Sequence, residues 1–83
     1  MKLTVRYFAS VREAIGLGSE SVETQAATLG GLRDELLARG GAYAESLARG
    51  RAVRMALDQV MSEEGAALRE GSEVAFFPPV TGG

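Results

Sequence analysis

Residues 2–8, "KLTVRYF", alternate in character. Leu3, Val5 and Tyr7 fall on one face, and Lys2, Thr4, Arg6 and Phe8 on the other. That is the two-residue period of a half-buried strand. Phe8 is the misfit, an aromatic on the polar face. "ASVREAIG" predicts a short helix ending near Gly16, and "SESVET", 19–24, a second strand. Thr28 is placed to cap the next helix through its hydroxyl. Beyond it Leu29, Leu32, Leu36 and Leu37 recur as an amphipathic stripe. Gly40 stands where a left-handed residue would stop that helix.

The pattern then shortens. "YAESLAR" predicts a further helical piece, and "AVRMAL", 52–57, a strand with Val53, Met55 and Leu57 inward. Asp58-Gln59 is a tight-turn candidate with "VM" as a short return strand. "SEEGAALREGS" reads as a loop with one helical turn. "EVAFFP" is the last strand, with Val74 and Phe76 on one face and Ala75 and Phe77 on the other. This order predicts an α+β roll of the ubiquitin type: a mixed sheet of about five strands with one main helix packed across it. The first and last strands can pair in parallel because a helical crossover lies between them.

Composition narrows the chemistry. Eighty-three residues make one domain, and 46% apolar content suits a packed core. Without Cys or His there is no disulfide, no zinc site of the usual nitrogen–sulfur type and no Ser–His or Cys–His pair. The single lysine, Lys2, begins a strand and makes a poor Schiff base. Glu63 and Glu64 diverge in a turn and read as a solvated loop. Gly30-Gly31 lacks the lysine and spacing of a phosphate loop and reads as a helix start. A self-contained enzyme or a resident metal is therefore not expected. Net charge −2 with scattered arginines argues against nucleic acid. No stretch is long enough to span a membrane. No apolar signal segment separates the early charges, and a chain without Cys is compatible with a cytoplasmic location.

The end of the chain, "EVAFFPPVTGG", is unusual. Pro78 and Pro79 remove two N–H donors and impose extended geometry, so pairing stops there. Residues 80–83 can then reach at most ~14 Å beyond a body formed by 1–79. Gly82 and Gly83 carry no side chain to clash in a narrow channel. By parity Phe8 and Phe77 share the non-core face of neighbouring strands, where Met61 could join them as a partner surface. A parity error of one would instead put both rings in the core.

"YFASVRE", "TLGGLRDEL" and "EGSEVAFFPPVTGG" together resemble the small subunits of molybdopterin synthases, a family of ubiquitin-like (β-grasp) sulfur carriers. The resemblance spans the chain and is most specific at its end. It implies that an adenylyltransferase related to ubiquitin-activating enzymes uses ATP to adenylate Gly83, with Gly82 as the penultimate family glycine. A sulfur donor protein then supplies the sulfur of a thiocarboxylate. The large subunit receives the tail, and the sulfur passes to cyclic pyranopterin monophosphate. On that basis Phe8, Met61, Phe77, Pro78, Pro79, Val80 and Thr81 form the partner interface. No cofactor is bound permanently. Asp58-Gln59 departs from the Asn-containing turn usual in the family, which puts in doubt a side-chain amide contact to a partner. Arg12 reads equally as a contact to the activating enzyme or as a surface charge. Three other readings remain open: a carrier for thiamine or tRNA thiolation, a ubiquitin-like modifier, and a passive binding domain.

Overall fold

A computed structural model describes residues 1–79. In chain order the elements are β1 Lys2–Tyr7, α1 Ala9–Ile15, β2 Ser19–Glu23, α2 Leu29–Leu37, α3 Gly41–Leu47, β3 Arg54–Leu57, β4 Val60–Ser62 and β5 Glu73–Phe77. The strands form one mixed sheet in the order β2-β1-β5-β3-β4. β1 and β5 are parallel neighbours at its centre, with Val5 opposite Val74 and Tyr7 opposite Phe76. The other pairings are antiparallel.

The core follows from the alternation. Leu3, Val5, Tyr7, Val22, Met55, Val74 and Phe76 turn to one side of the sheet, and α2 covers them with Leu29, Leu32 and Leu36. Leu37 is only half-buried. The Thr28 hydroxyl accepts from the Gly31 N–H at 3.2 Å, as its position predicts. The adjacent glycines have a packing reason. A Cβ on Gly30 would meet Glu64 Oε1 at 2.9 Å, and one on Gly31 would meet Ala26 Cβ at 3.0 Å.

Several local expectations change. α2 ends at Leu37 with Ala38 as its C-cap, and Gly40 has φ +73° with ψ −167°, so it caps the start of α3 rather than closing α2 in a left-handed turn. β1 stops at Tyr7. Phe8 keeps extended geometry but serves as the N-cap of α1. Ala56 is buried along with Met55, because it lies in register with Met61 on one side and Ala75 on the other. The segment before β5 holds no helical turn. There Ala67 bridges Thr28 and the Leu68 N–H donates to Ala27 O at 2.8 Å, so its backbone is satisfied across the chain. Among the described residues no helix is long and apolar enough to cross a membrane.

Candidate functional site

The outward face of the sheet begins where β1 meets α1. The Phe8 N–H donates to Phe76 O at 3.1 Å, which extends the parallel ladder by one step. Ala9 then takes φ +50° and the chain turns into α1. Phe8 therefore stays opposite the core and is 39% exposed. Phe77 follows Phe76 out of the core by simple alternation and is half-buried. Phe8, Ala75, Phe77, Pro78 and Pro79 line an apolar cleft of about 460 Å³. The Arg6 guanidinium lies 5.1 Å from the Phe8 ring centroid and 3.7 Å from Glu73, on the margin of this patch.

Register carries the same face across the sheet. Arg6 lies opposite Ala75, Ala75 opposite Ala56, and Ala56 opposite Met61. The two alanines make a low floor between the Phe8–Phe77 cleft and Met61, which is 56% exposed. The structure thus brings Phe8, Phe77, Pro78 and Pro79 together and sets Met61 two strands away on the same face. Val80, Thr81, Gly82 and Gly83 lie outside the described residues.

Asp58 and Gln59 both have positive φ, +50° and +69°. Asp58 Oδ1 accepts from the Glu73 N–H at 2.9 Å, and the Asp58 N–H donates to Glu73 O at 2.8 Å. This side chain is engaged within its own chain, tying the β3–β4 turn to the start of β5.

Two polar clusters steady the scaffold, and neither was visible in the sequence. Glu20 accepts from the hydroxyls of Tyr7 at 2.8 Å and Tyr43 at 2.7 Å, and from Arg39 at 3.0 Å. Burial acts to raise the Glu20 carboxyl, but the donors Tyr43, Arg39 and Tyr7 outweigh it and hold it below the ordinary carboxylate range. Burial, and then the hydrogen bond to Glu20, push the Tyr7 phenol well above its ordinary value.

In the second cluster Arg33, 4% exposed, donates to the carbonyls of Leu47 at 2.7 Å and Ala48 at 3.1 Å, capping the end of α3. Arg49 joins Glu64 at 2.7 Å, Gly30 O at 3.2 Å and Asp34. Hydrogen bonding to Arg49 holds the Glu64 carboxyl below its ordinary value. Glu63 is exposed as expected, but Glu64 is not simply solvated: it anchors its loop to α2. These contacts join residues 15 or so positions apart, beyond any helical or strand period, so only the tightness around Gly30 hints at them.

The described residues thus offer an apolar cleft on the outward face of the sheet, bounded by Pro78 and Pro79 at the end of the described chain. A family model described as the ThiS family matches residues 5–83. The chain is 38% identical to the molybdopterin synthase sulfur carrier subunit of Haemophilus influenzae over 81 residues, covering 98% of this chain and 99% of that one. Its fold is similar to SAMP1 from Haloferax volcanii, with TM-score 0.78 and 25% identity over the whole of both chains. It is also similar to a chain in the complex of subunits 1 and 2 of the molybdopterin-converting factor from Helicobacter pylori, with TM-score 0.70 and 25% identity over the whole of both.

Proposed function

The chain belongs to the ThiS family, and on that premise we propose that it works as the sulfur carrier subunit of molybdopterin synthase. The single observation that carries the docking part of this reading is the apolar cleft between Phe8 and Phe77, which opens at Pro78 and Pro79 where the tail begins. The relative of nearly equal length that is a molybdopterin synthase sulfur carrier subunit favours this role over thiamine or tRNA thiolation and over protein modification.

In this reading a Gly83 carboxylate oxygen attacks the α-phosphorus of ATP on an activating enzyme, and pyrophosphate leaves. The carboxylate alone is a poor acyl donor; the acyl-adenylate divides one hard step into two easier ones. A sulfide-level sulfur delivered by a donor protein then attacks the acyl carbon, AMP leaves with the electron pair of the broken C–O bond, and a thiocarboxylate remains on Gly83. The large subunit takes the tail into its active site, where the sulfur goes to cyclic pyranopterin monophosphate. The carrier needs no resident cofactor and works in the cytoplasm.

The body supplies the affinity. Ordering four tail residues costs about 4–8 kcal/mol at 1–2 kcal/mol each. Burying Phe8 and Phe77 stabilises by about 1.5–3 kcal/mol each. Met61 and the margins Pro78, Pro79, Val80 and Thr81 extend the contact, while Gly82 and Gly83 enter the narrowest part of the channel.

Intact mass tests the chemistry. After incubation with ATP, the activating enzyme and a sulfur donor, the mass rises by the difference between sulfur and oxygen, and fragment ions place the change on Gly83. Sulfur located elsewhere, or no gain with an activating enzyme competent on another carrier, rejects the reading.

A further inference from the structure

Three of the eight arginines fall within six residues, at positions 49, 51 and 54 of "RGRAVR". In a chain of net charge −2 this cluster is not part of a generally basic surface. Arg49 is consumed internally by Glu64, Asp34 and Gly30 O. Arg51 and Arg54 are different. Both are exposed, and among the described residues neither side chain takes part in an ion pair. They line a cleft of about 600 Å³ whose walls include Val53, Met61 and Pro79.

The position of this cleft gives it meaning. Arg54 lies opposite Phe77 in the β3–β5 register. Pro79 lines both this cleft and the apolar one beside Phe8. The cationic cleft is therefore continuous with the docking face and meets it at the root of the tail.

We infer that Arg51 and Arg54 form a cationic margin of the docking face that receives a carboxylate-bearing segment of the large subunit. This rests on the sulfur-carrier reading above. A protein segment fits better than a free phosphate or nucleic acid. The other two arginines of the cleft, Arg33 and Arg49, are already held by carbonyls and carboxylates. Glu63 shares its wall and disfavours a dense polyanion, Glu64 is already paired with Arg49, and Val53 and Met61 offer apolar contact. Arginine presents a planar fork that matches a carboxylate in two hydrogen bonds. An apolar face alone holds a partner with little sense of direction. Two charges on one side of the tail root fix the rotation at which the tail enters and speed the encounter.

The test is the rate of association of the full chain with the molybdopterin synthase large subunit across a range of ionic strengths. Arg51→Glu with Arg54→Glu is expected to slow association about tenfold or more at low salt, and to flatten its decline as salt rises. The double Gln variant falls between, and Phe77→Ala keeps the wild-type salt dependence while dissociating faster. Thermal melts of each variant establish that it is folded. If the folded double Glu variant associates at the wild-type rate with the wild-type salt dependence, the inference is wrong. If ATP or inorganic phosphate binds the isolated chain at this cleft and the double Gln variant abolishes that binding, the site is one for small anions, and the inference is again wrong. If the wild-type chain itself fails to bind the large subunit, the sulfur-carrier reading fails and this margin falls with it. Wild-type binding that ignores the arginines removes the margin alone.

Discussion

Tyr7 and Phe76 are register partners on adjacent parallel strands, their rings stacked 6.2 Å apart at 16°, and both are buried. The next residue on each chain segment, Phe8 and Phe77, leaves the core for the other side of the sheet. Two successive aromatic pairs thus divide between the core and the outward face of the sheet. Phe76→Ala is expected to cost ~3–5 kcal/mol of stability through the cavity it leaves. Phe77→Ala is expected to weaken large-subunit binding by at least about 2 kcal/mol, roughly thirtyfold, with the fold intact. Thermal melts and binding titrations on both variants check the division. A Phe77→Ala protein that melts like a core mutant contradicts it.

Deleting Gly82 and Gly83 should leave the thermal midpoint almost unchanged while abolishing sulfur transfer. The packed cluster lies wholly within residues 3–76 and is closed by the sheet and α2, so the body has what it needs to fold. A large loss of stability in the truncated chain would make the end a structural element and remove the reason to regard it as a transferable tail.

The strands, the main helix and the outward aromatics were legible because each is a short-range pattern: alternation in β1 and β5, a leucine stripe in α2, a proline pair at the exit. The parallel centre followed from the helical crossover between the first and last strands. The segment from Glu63 to Ser72 was not. Its composition suits a helical turn, yet Leu68 is drawn under the start of α2 and its N–H pairs with Ala27 O. Tertiary burial decided that backbone. Arg33 carries a charge that sequence reasoning sends to the surface, but the open carbonyls of Leu47 and Ala48 hold it inside. Glu20 likewise reads as a surface residue of an edge strand until Tyr7, Tyr43 and Arg39 converge on it.

The β3–β4 turn offers a gain in stability. Gln59 has φ +69°, in the left-handed region that costs a side-chain-bearing residue roughly 1–2 kcal/mol and glycine little. Gln59→Gly is therefore expected to raise stability by about 1 kcal/mol, less a few tenths for the added freedom of the unfolded chain. Asp58 should be left alone, since its carboxylate holds the Glu73 N–H. Asp58→Ala is expected to lower the denaturation midpoint. Chemical denaturation of both variants checks the opposite signs, and a Gln59→Gly chain no more stable than wild type removes the strain argument.

Acid sensitivity should centre on Glu20. Its folded-state carboxyl lies below the ordinary value because Tyr43, Arg39 and Tyr7 together outweigh the burial that opposes them. In the unfolded chain it returns to about 4.3. The unfolded state then binds more protons through this window, so stability rises with pH. The contribution is complete above about pH 5 and is lost as pH falls through the lower folded-state value. Glu64 is shifted in the same direction, but its side chain is 42% exposed and solvent screening weakens its share. At the other extreme, burial and Glu20 raise the Tyr7 and Tyr43 phenols. Their contribution is complete below about pH 10 and is lost as pH rises beyond it. Denaturation midpoints from pH 3 to 7 on wild type and Glu20→Gln isolate the Glu20 contribution. Glu20→Gln is expected to be less stable at pH 7 and to show a shallower acid decline, with the two proteins converging toward pH 3. Parallel curves would place the acid-labile carboxylate elsewhere in the molecule.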